Sequence, residues 1–162
     1  MTNVSASFGY RGGLLAVLTR TRDWLNGVPY ALLALPLRAA VATVFWNSGT
    51  TKLASWDTTI ALFTDEYKVP LLPPELAAYM AASIELSTPF LLVAGFLTRP
   101  AAAMLLGMTA VIEIFVYPQA WPTHIQWAAM LLVLLCRGPG KFSLDHLIAR
   151  RLGTDRMAVS AH

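Results

Sequence analysis

Three ionisable side chains lie inside long apolar stretches of this chain, where a charge is costly. Arg38, Glu85 and Glu113 have apolar sequence on both sides, and His124 begins the last long apolar stretch. An ionised residue near the centre of a bilayer costs at least ~3 kcal/mol on insertion scales, so such residues normally face other helices and have polar partners. Side chains of these types bind polar headgroups or transfer protons, so they are the first candidates for chemistry.

The first two candidates lie at similar depth. A rise of about 1.5 Å per residue places Arg38 roughly 18 Å and Glu85 roughly 15 Å from the outer ends of their helices. We therefore expect the guanidinium and the carboxylate to pair near the midplane, which is the least costly arrangement for both. Such a pair could be a structural lock between two helices, or it could bind a headgroup or relay protons. The sequence leaves both interpretations open.

A second group of polar and aromatic residues lies nearer the outer face. Glu113 lies roughly 7 Å from the outer end of its helix, and His124 begins the next helix on that side. If the chain is catalytic, we expect these two residues to be the catalytic ones. The residues expected to bind a substrate or headgroup are Arg38, Asn47, Lys52, Glu85, Tyr117, Trp121 and Gln126. Hydrogen-bond donors, a titratable group and aromatic walls suit a quinone headgroup.

Simpler interpretations of the same residues remain open. His124 could cap a helix at the interface, and Trp121 and Trp127 could belong to an aromatic belt. Lys52 could extend outward to water, or it could face Glu113. One histidine with one or two carboxylates is a thin ligand set, so no metal is predicted. The sequence has no flavin, haem or iron–sulfur motif, and its single cysteine, Cys136, excludes an internal disulfide or a CxxC redox pair.

These residues require transmembrane helices to position them. The chain of 162 residues is 56% hydrophobic and 13% charged, with a mean hydropathy of +0.56, whereas soluble domains carry about 25% charged residues. Apolar stretches at 29–49, 76–97, 101–117 and 125–136 predict four spans. The fold class is therefore predicted as an all-α integral membrane four-helix bundle with amphipathic surface helices at both ends.

Three regions follow from this pattern. Residues 1–28 form an N-terminal tail, disordered over 1–10, and an amphipathic helix; residues 29–137 form the membrane domain; residues 138–162 form a second amphipathic helix and a disordered tail. Ser143 is the expected N-cap of the second helix. The loop between spans one and two has Trp56, Ile60, Phe63 and Tyr67 at helical spacing, as expected at a membrane interface.

Basic residues predict the orientation. Nine lie on the side of the two termini, namely Arg11, Arg20, Arg22, Arg99, Arg137, Lys141, Arg150, Arg151 and Arg156, and two, Lys52 and Lys68, lie on the other. The positive-inside rule then makes both termini cytoplasmic, in a multi-pass protein of a bacterial or archaeal cytoplasmic (inner) membrane. The formal net charge of +3 reflects these ends, so we expect contact with the lipid bilayer and not with nucleic acid.

The ordered set of segments resembles the DoxX family of small membrane proteins over about residues 34 to 150. Its carriers are 38–52 (RAAVATVFWNSGTTK), 69–85 (VPLLPPELAAYMAASIE), 95–102 (GFLTRPAA) and 124–145 (HIQWAAMLLVLLCRGPGKFSLD). The resemblance implies a four-helix bundle associated with redox proteins; some members are subunits of an archaeal thiosulfate:quinone oxidoreductase. Arg38, Lys52, Glu85 and His124 match the family pattern, whereas Glu113 is not placed by it.

Three functions are compatible with these observations. The first is a redox-linked subunit of a quinone-linked oxidoreductase that binds a quinone or a similar headgroup in the outer half of the bundle. Its electrons would come from a redox protein partner or from the substrate. The second is a non-catalytic anchor or assembly subunit for a partner oxidoreductase. The third is a small-solute transporter, in which a homo-oligomer could build the pore.

Overall fold

All the secondary structure of the described chain is helical. The computed structural model of the protein describes residues 7–153. The first helix, α1 (Ser7–Asn26), begins inside the segment predicted to be disordered, so that prediction is wrong for residues 7–10. Residues 1–6, Arg156 and most of the predicted C-terminal tail lie outside the described residues.

Four helices pack against one another: α2 (Tyr30–Ala54), α4 (Pro74–Ala94), α5 (Thr98–Val111) and α6 (Trp121–Arg137). α2 contacts α4 and α6, and α5 contacts the same two helices. Three segments are long and apolar enough to cross a membrane, namely Tyr30–Ala54, Pro74–Ala94 and Thr98–Val116. The fourth helix has 17 residues, the lower bound of the roughly 17–25 residues of a span, so the fourth span stays a prediction.

Two labels are used below for the ends of these helices. The inner end is that of Tyr30, Ala94, Thr98 and Arg137, and the outer end is that of Ala54, Pro74, Val116 and Trp121. The labels follow the orientation predicted by the positive-inside rule, which stays a prediction. Small residues such as Ala78 and Ala101 are fully buried between the helices, and they let the backbones approach closely, as is typical of helix packing in membranes.

The outer end is covered by the segment that joins α2 to α4. It forms α3 (Trp56–Ala61) and a π-helix, π1 (Leu62–Tyr67), which contacts α4. Phe63 is buried with Ala77 and Ala78 of α4. The predicted helical aromatic stripe is therefore present, and part of it packs onto the bundle. A second π-helix, π2 (Ile112–Val116), extends α5 at the same end, and π-helical turns are frequent at functional sites.

The predicted pairing of Arg38 with Glu85 is wrong. The Arg38 guanidinium donates to the carbonyl oxygens of Leu92 at 2.6 Å and of Val93, near the C-terminal end of α4. It also donates to the carbonyl oxygens of Pro139 at 3.3 Å and Phe142 at 2.7 Å. Side chains on a helix lean towards its N-terminus, which for α2 is the inner end. There Arg38 meets the carbonyls that α4 cannot satisfy within itself, at the negative end of its dipole.

The segment after α6 is fixed against this inner end. The Asp145 carboxylate accepts hydrogen bonds from the backbone N–H groups of Leu97 at 2.8 Å and Thr98 at 3.1 Å, at the start of α5. Gly95 has φ +67°, and a Cβ there would lie 2.5 Å from Cβ of Ser143. The segments 95–102 and 124–145 therefore meet around Arg38. These two segments of the sequence pattern hold the inner ends of the helices together.

The last helix, α7 (Leu144–Arg151), begins as predicted. The Ser143 side chain accepts a hydrogen bond from the backbone N–H of His146 at 3.2 Å, so Ser143 is the N-cap. Large apolar side chains of α7 and of α1 remain exposed, among them Leu147, Leu18 and Trp24. Exposed apolar faces on helices at the ends of a membrane domain suit the bilayer interface.

Candidate functional site

A cavity of about 430 Å³ lies between α2, α4, α5 and α6, on the side covered by π1. Four residues singled out from the sequence line it: Lys52, Glu85, Tyr117 and His124. The remaining wall is largely apolar and includes Val44, Phe45, Phe63, Met80, Ala81, Ile84, Met104, Met108, Val111 and Trp127. A mostly apolar wall with a few polar groups is the usual composition of a small-molecule site.

On one side of this cavity, Lys52, Glu85 and Ser48 form a closed polar triad. The Lys52 ammonium lies 2.9 Å and 2.7 Å from the two Glu85 carboxylate oxygens and 3.0 Å from the Ser48 hydroxyl oxygen. The Ser48 hydroxyl donates to Glu85 at 3.0 Å. The Glu85 side chain is 2% exposed and that of Lys52 is 16% exposed. The three N–H groups of the ammonium thus have three acceptors.

The same lean of α2 side chains explains why Glu85 has Lys52 as its partner. Lys52 lies near the outer end of α2, and its side chain extends towards the inner end, where it reaches Glu85 on α4. Neither sequence-based interpretation of Lys52 is correct, because it contacts Glu85 and does not extend outward or face Glu113. Ser48 was not identified from the sequence, although its position one turn before Lys52 on the same helix face was a usable signal.

On the other side of the cavity, His124 pairs with Glu113. Nδ1 of His124 lies 2.6 Å from Oε2 of Glu113, and the side chains are 6% and 20% exposed. His124 lies in the first turn of α6 and Glu113 in π2. Within residues 7–153, Nε2 of His124 has no hydrogen-bond partner. This imidazole therefore keeps one polar atom for a ligand, in contrast to the Lys52 triad.

Two tyrosines line the cavity near the outer end of the bundle. The Tyr117 hydroxyl donates to the Glu66 carboxylate, and the rings of Tyr117 and Tyr67 lie 5.6 Å apart. The hydrogen bond to Glu66 raises the pKa of Tyr117 well above its ordinary value, with burial and Tyr67 adding to the effect. Tyr117 therefore remains a neutral hydroxyl at physiological pH, and it ties the segment after π2 to π1.

Two methionines of the cavity wall, one on α4 and one on α5, are also exposed on the outside of the bundle. Met80 on α4 is 45% exposed and Met104 on α5 is 46% exposed, and both line the cavity. Both methionines belong to segments that are long and apolar enough to cross a membrane. Methionine side chains are flexible and adapt to irregular apolar partners.

Four of the residues predicted to bind a ligand lie outside this cavity. Arg38 lies at the inner end, and Asn47 is exposed, with its carbonyl accepting from Thr51. Gln126 is exposed and donates to the Pro122 carbonyl at 2.8 Å. Trp121 lines a second groove of about 310 Å³, whose wall includes Glu113 and His124. His124 therefore separates two hollows, and only one of them has the Lys52 triad.

The described residues, 7–153, contain no group of three or more His, Cys, Asp or Glu side chains arranged to hold a metal ion. The polar groups of the cavity are instead the Lys52–Glu85 ion pair and the hydrogen-bonded His124–Glu113 pair. The fold and this cavity define a helical integral membrane protein with a mostly apolar hollow between its helices that has a few polar groups in its wall.

The chain belongs to the DoxX family, whose pattern matches residues 33–118. It is also 30% identical over 141 residues to an uncharacterized protein of Haemophilus influenzae, and the alignment covers 78% of this chain and 89% of that protein. No solved structure matches the chain significantly. The family assignment establishes a membrane protein, and its chemistry has to be argued from the cavity.

Proposed function

We propose that this protein binds a quinone, or a similar lipid-soluble compound with a polar ring, in the cavity between Lys52–Glu85 and His124–Glu113. Binding there would serve a redox-linked subunit of the inner membrane. The observation that carries the proposal is the cavity itself, whose volume of about 430 Å³ falls within the range of roughly 300–1,000 Å³ typical of ligand pockets. Its wall supplies apolar contact for a ring, and His124 supplies one imidazole for hydrogen bonding with a polar group on that ring.

The two exposed methionines of the wall support a lipid-soluble ligand. Because Met80 and Met104 line the cavity and are exposed on apolar segments, the proposed route of entry is from the bilayer past these side chains, with the apolar tail of the ligand left in the lipid. A water-soluble solute would gain nothing from such an entrance, since it would first have to partition into lipid. The exposed apolar wall therefore favours quinone binding over the transporter hypothesis.

The electrons of a quinone reaction have no carrier in this chain. The sequence has one cysteine and no flavin, haem or iron–sulfur motif. In the proposed role this chain holds the ring and positions His124 beside it, and a partner protein or a reduced substrate supplies the electrons. The chain is thus a binding subunit, and its proposed contribution to chemistry is confined to His124 and Glu113.

The test is to purify the protein in mild detergent, extract the bound lipids and identify any quinone by absorbance and mass spectrometry. Ala81 lines the cavity, so Ala81→Phe should fill it and remove the quinone. Ala103→Phe is the matched control, because Ala103 is exposed on α5 and does not line the cavity. Wild type and the control are expected to retain quinone. A wild-type protein that neither contains quinone nor binds added quinone would refute the proposal.

A non-catalytic anchor for a partner oxidoreductase is the second candidate. It is favoured by α1, where Leu14, Leu15, Leu18 and Trp24 are each more than half exposed. Such a face could hold a partner at the membrane surface as well as contact lipid. A pull-down with the full chain and with a chain lacking residues 1–26 distinguishes the two: a partner captured only by the full chain supports anchoring through α1.

A further inference from the structure

We infer that the cavity binds the reduced, hydroquinone form of its ligand in preference to the quinone form. This inference rests on the proposed function, because it concerns the redox state of the ligand proposed for that cavity. A quinone presents two carbonyl oxygens, which only accept hydrogen bonds, whereas a hydroquinone presents two hydroxyl groups, which also donate. The preference therefore depends on whether the wall offers donors or acceptors.

The Lys52 triad has no donor to spare for a carbonyl oxygen. An ammonium group has three N–H bonds, and those of Lys52 are directed to the two Glu85 oxygens and to Ser48. The Ser48 hydroxyl hydrogen is used by Glu85. A quinone that took one of these donors would leave part of a carboxylate that is 2% exposed without its partner, which is costly in an apolar environment.

His124 presents an acceptor on the other wall. A carboxylate can only accept, so the hydrogen bond between Glu113 and Nδ1 of His124 places the imidazole proton on Nδ1. When the imidazole is neutral, Nε2 then carries a lone pair and no hydrogen. Nε2 has no hydrogen-bond partner within the described part of the chain. It can accept a hydrogen bond from a ligand hydroxyl and repels a ligand carbonyl oxygen.

The other polar groups around the cavity do not reverse this balance. Tyr117 lines the cavity near the outer end of the bundle, and its hydroxyl hydrogen is given to Glu66. Lys52 and Glu85 line the same cavity as His124 and form a pair of opposite charges. Trp127 packs beside His124, with ring centroids 5.1 Å apart, and contributes apolar surface to this wall. The unpartnered acceptor on His124 thus decides the preference.

The experiment uses the full chain purified in detergent and three probes with the same ring and tail. These are decylubiquinone, its hydroquinone kept reduced under anaerobic conditions, and the dimethyl ether of that hydroquinone, which has no O–H group. Binding is measured from quenching of tryptophan fluorescence. One additional hydrogen bond corresponds to about a fivefold difference in Kd, so the hydroquinone is expected to bind about fivefold more tightly than either of the other probes.

Two variants assign the preference to His124. His124→Phe removes the acceptor and keeps a ring, so the three probes should bind with similar Kd. Glu113→Gln no longer fixes the proton on Nδ1, so the ratio of Kd values should fall towards one even if His124→Phe fails to fold. Glu75→Gln is the matched control, because Glu75 is exposed at the start of α4 and does not line the cavity; its ratio should equal that of wild type.

The outcomes separate this inference from the function on which it rests. If wild type binds the quinone as tightly as the hydroquinone, or more tightly, the redox preference is refuted and quinone binding stands. A preference that persists in both His124→Phe and Glu113→Gln also refutes the role of His124. If wild type binds none of the three probes, the proposed function itself fails, and the preference fails with it.

Discussion

Removing the positive charge of Lys52 should strongly destabilise the fold, because it leaves a buried carboxylate without its partner. In Lys52→Met the side chain keeps its length and its apolar part, so packing is little changed. The Glu85 carboxylate, 2% exposed, would retain only the hydrogen bond from Ser48 at 3.0 Å. Removing one partner of a buried ion pair typically costs about 3–5 kcal/mol, so we expect the free energy of unfolding to fall by that amount.

The double variant Lys52→Met with Glu85→Gln tests the cause of that loss. With both charges gone, the uncompensated carboxylate is gone as well, and replacing a buried pair by neutral groups of similar volume is often close to neutral. We therefore expect the double variant to recover most of the stability lost by Lys52→Met. The coupling free energy between the two positions follows from the double-mutant cycle.

The assay is unfolding in mixed micelles by increasing mole fractions of sodium dodecyl sulfate, followed by tryptophan fluorescence. Asp23→Asn is the control, because it removes an exposed ion pair with Arg22, whose side chains are 65% and 69% exposed, and such pairs contribute less than about 1 kcal/mol. The reasoning is refuted if Lys52→Met unfolds like this control, or if the double variant is as unstable as the sum of the single variants.

Three further predictions concern the inner end and use the same assay unless stated. Arg38→Lys should lower the free energy of unfolding by about 1.5–3 kcal/mol, because one ammonium cannot hold carbonyls on both α4 and the C-terminal segment. Adding Glu85→Gln should not recover this loss. A recovery would support the pairing of Arg38 with Glu85 that was inferred from the sequence. Gly95→Ala should lower the free energy of unfolding by at least about 1–2 kcal/mol, since φ is +67° and the added Cβ meets Ser143. Gly107→Ala is the control: its added Cβ has nothing within 4 Å, so this variant should gain up to about 1 kcal/mol from helix propensity. Equal effects of the two substitutions would contradict the contact with Ser143. Asp145→Asn should lower the free energy of unfolding by about 0.5–2 kcal/mol and speed hydrogen exchange at the Leu97 and Thr98 amides. Unchanged exchange at these amides would contradict the role of the Asp145 carboxylate as their acceptor.

Much of the fold could be predicted because it depends on local pattern. Apolar runs of helical length predicted α2, α4 and α5 and located α6, and Ser143 predicted the start of α7. The aromatic stripe from Trp56 to Tyr67 predicted a helical segment between α2 and α4. These features need no knowledge of neighbours, since helix formation in lipid follows from the need to satisfy backbone hydrogen bonds within the segment.

The partners of the buried charges could not be predicted in the same way. Depth counted from the ends of the spans put Arg38 beside Glu85, but it measures the position of Cα, and an arginine or lysine head lies several ångströms away from it. The lean of α2 side chains towards its N-terminus moved both cationic heads inward, so that Lys52 met Glu85 and Arg38 met the end of α4. Glu85 does pair with a cation, as expected for a buried carboxylate, but that cation is Lys52 and not Arg38.

The proximity of Glu113 to His124 was inferred from similar depth on the same side, and their side chains are in contact. The sequence could not show that Nδ1 contacts the carboxylate while Nε2 stays unpartnered, because that depends on the rotation of one imidazole set by π2 and the first turn of α6. Likewise, Asn47 and Gln126 have the depth of the cavity but face away from it.

The sequence by itself determined that this is a helical membrane protein of the DoxX family with charges that must be compensated among its helices. Composition and apolar run length are sufficient for the helical membrane fold, because the bilayer imposes the same requirement on every chain; the family follows from the ordered sequence segments. Only the tertiary structure decided which charges meet, where the cavity lies and which polar atom in it remains for a ligand. Those features depend on side-chain direction and on helix packing at the scale of a hydrogen bond, which the spacing of residues along a chain does not specify.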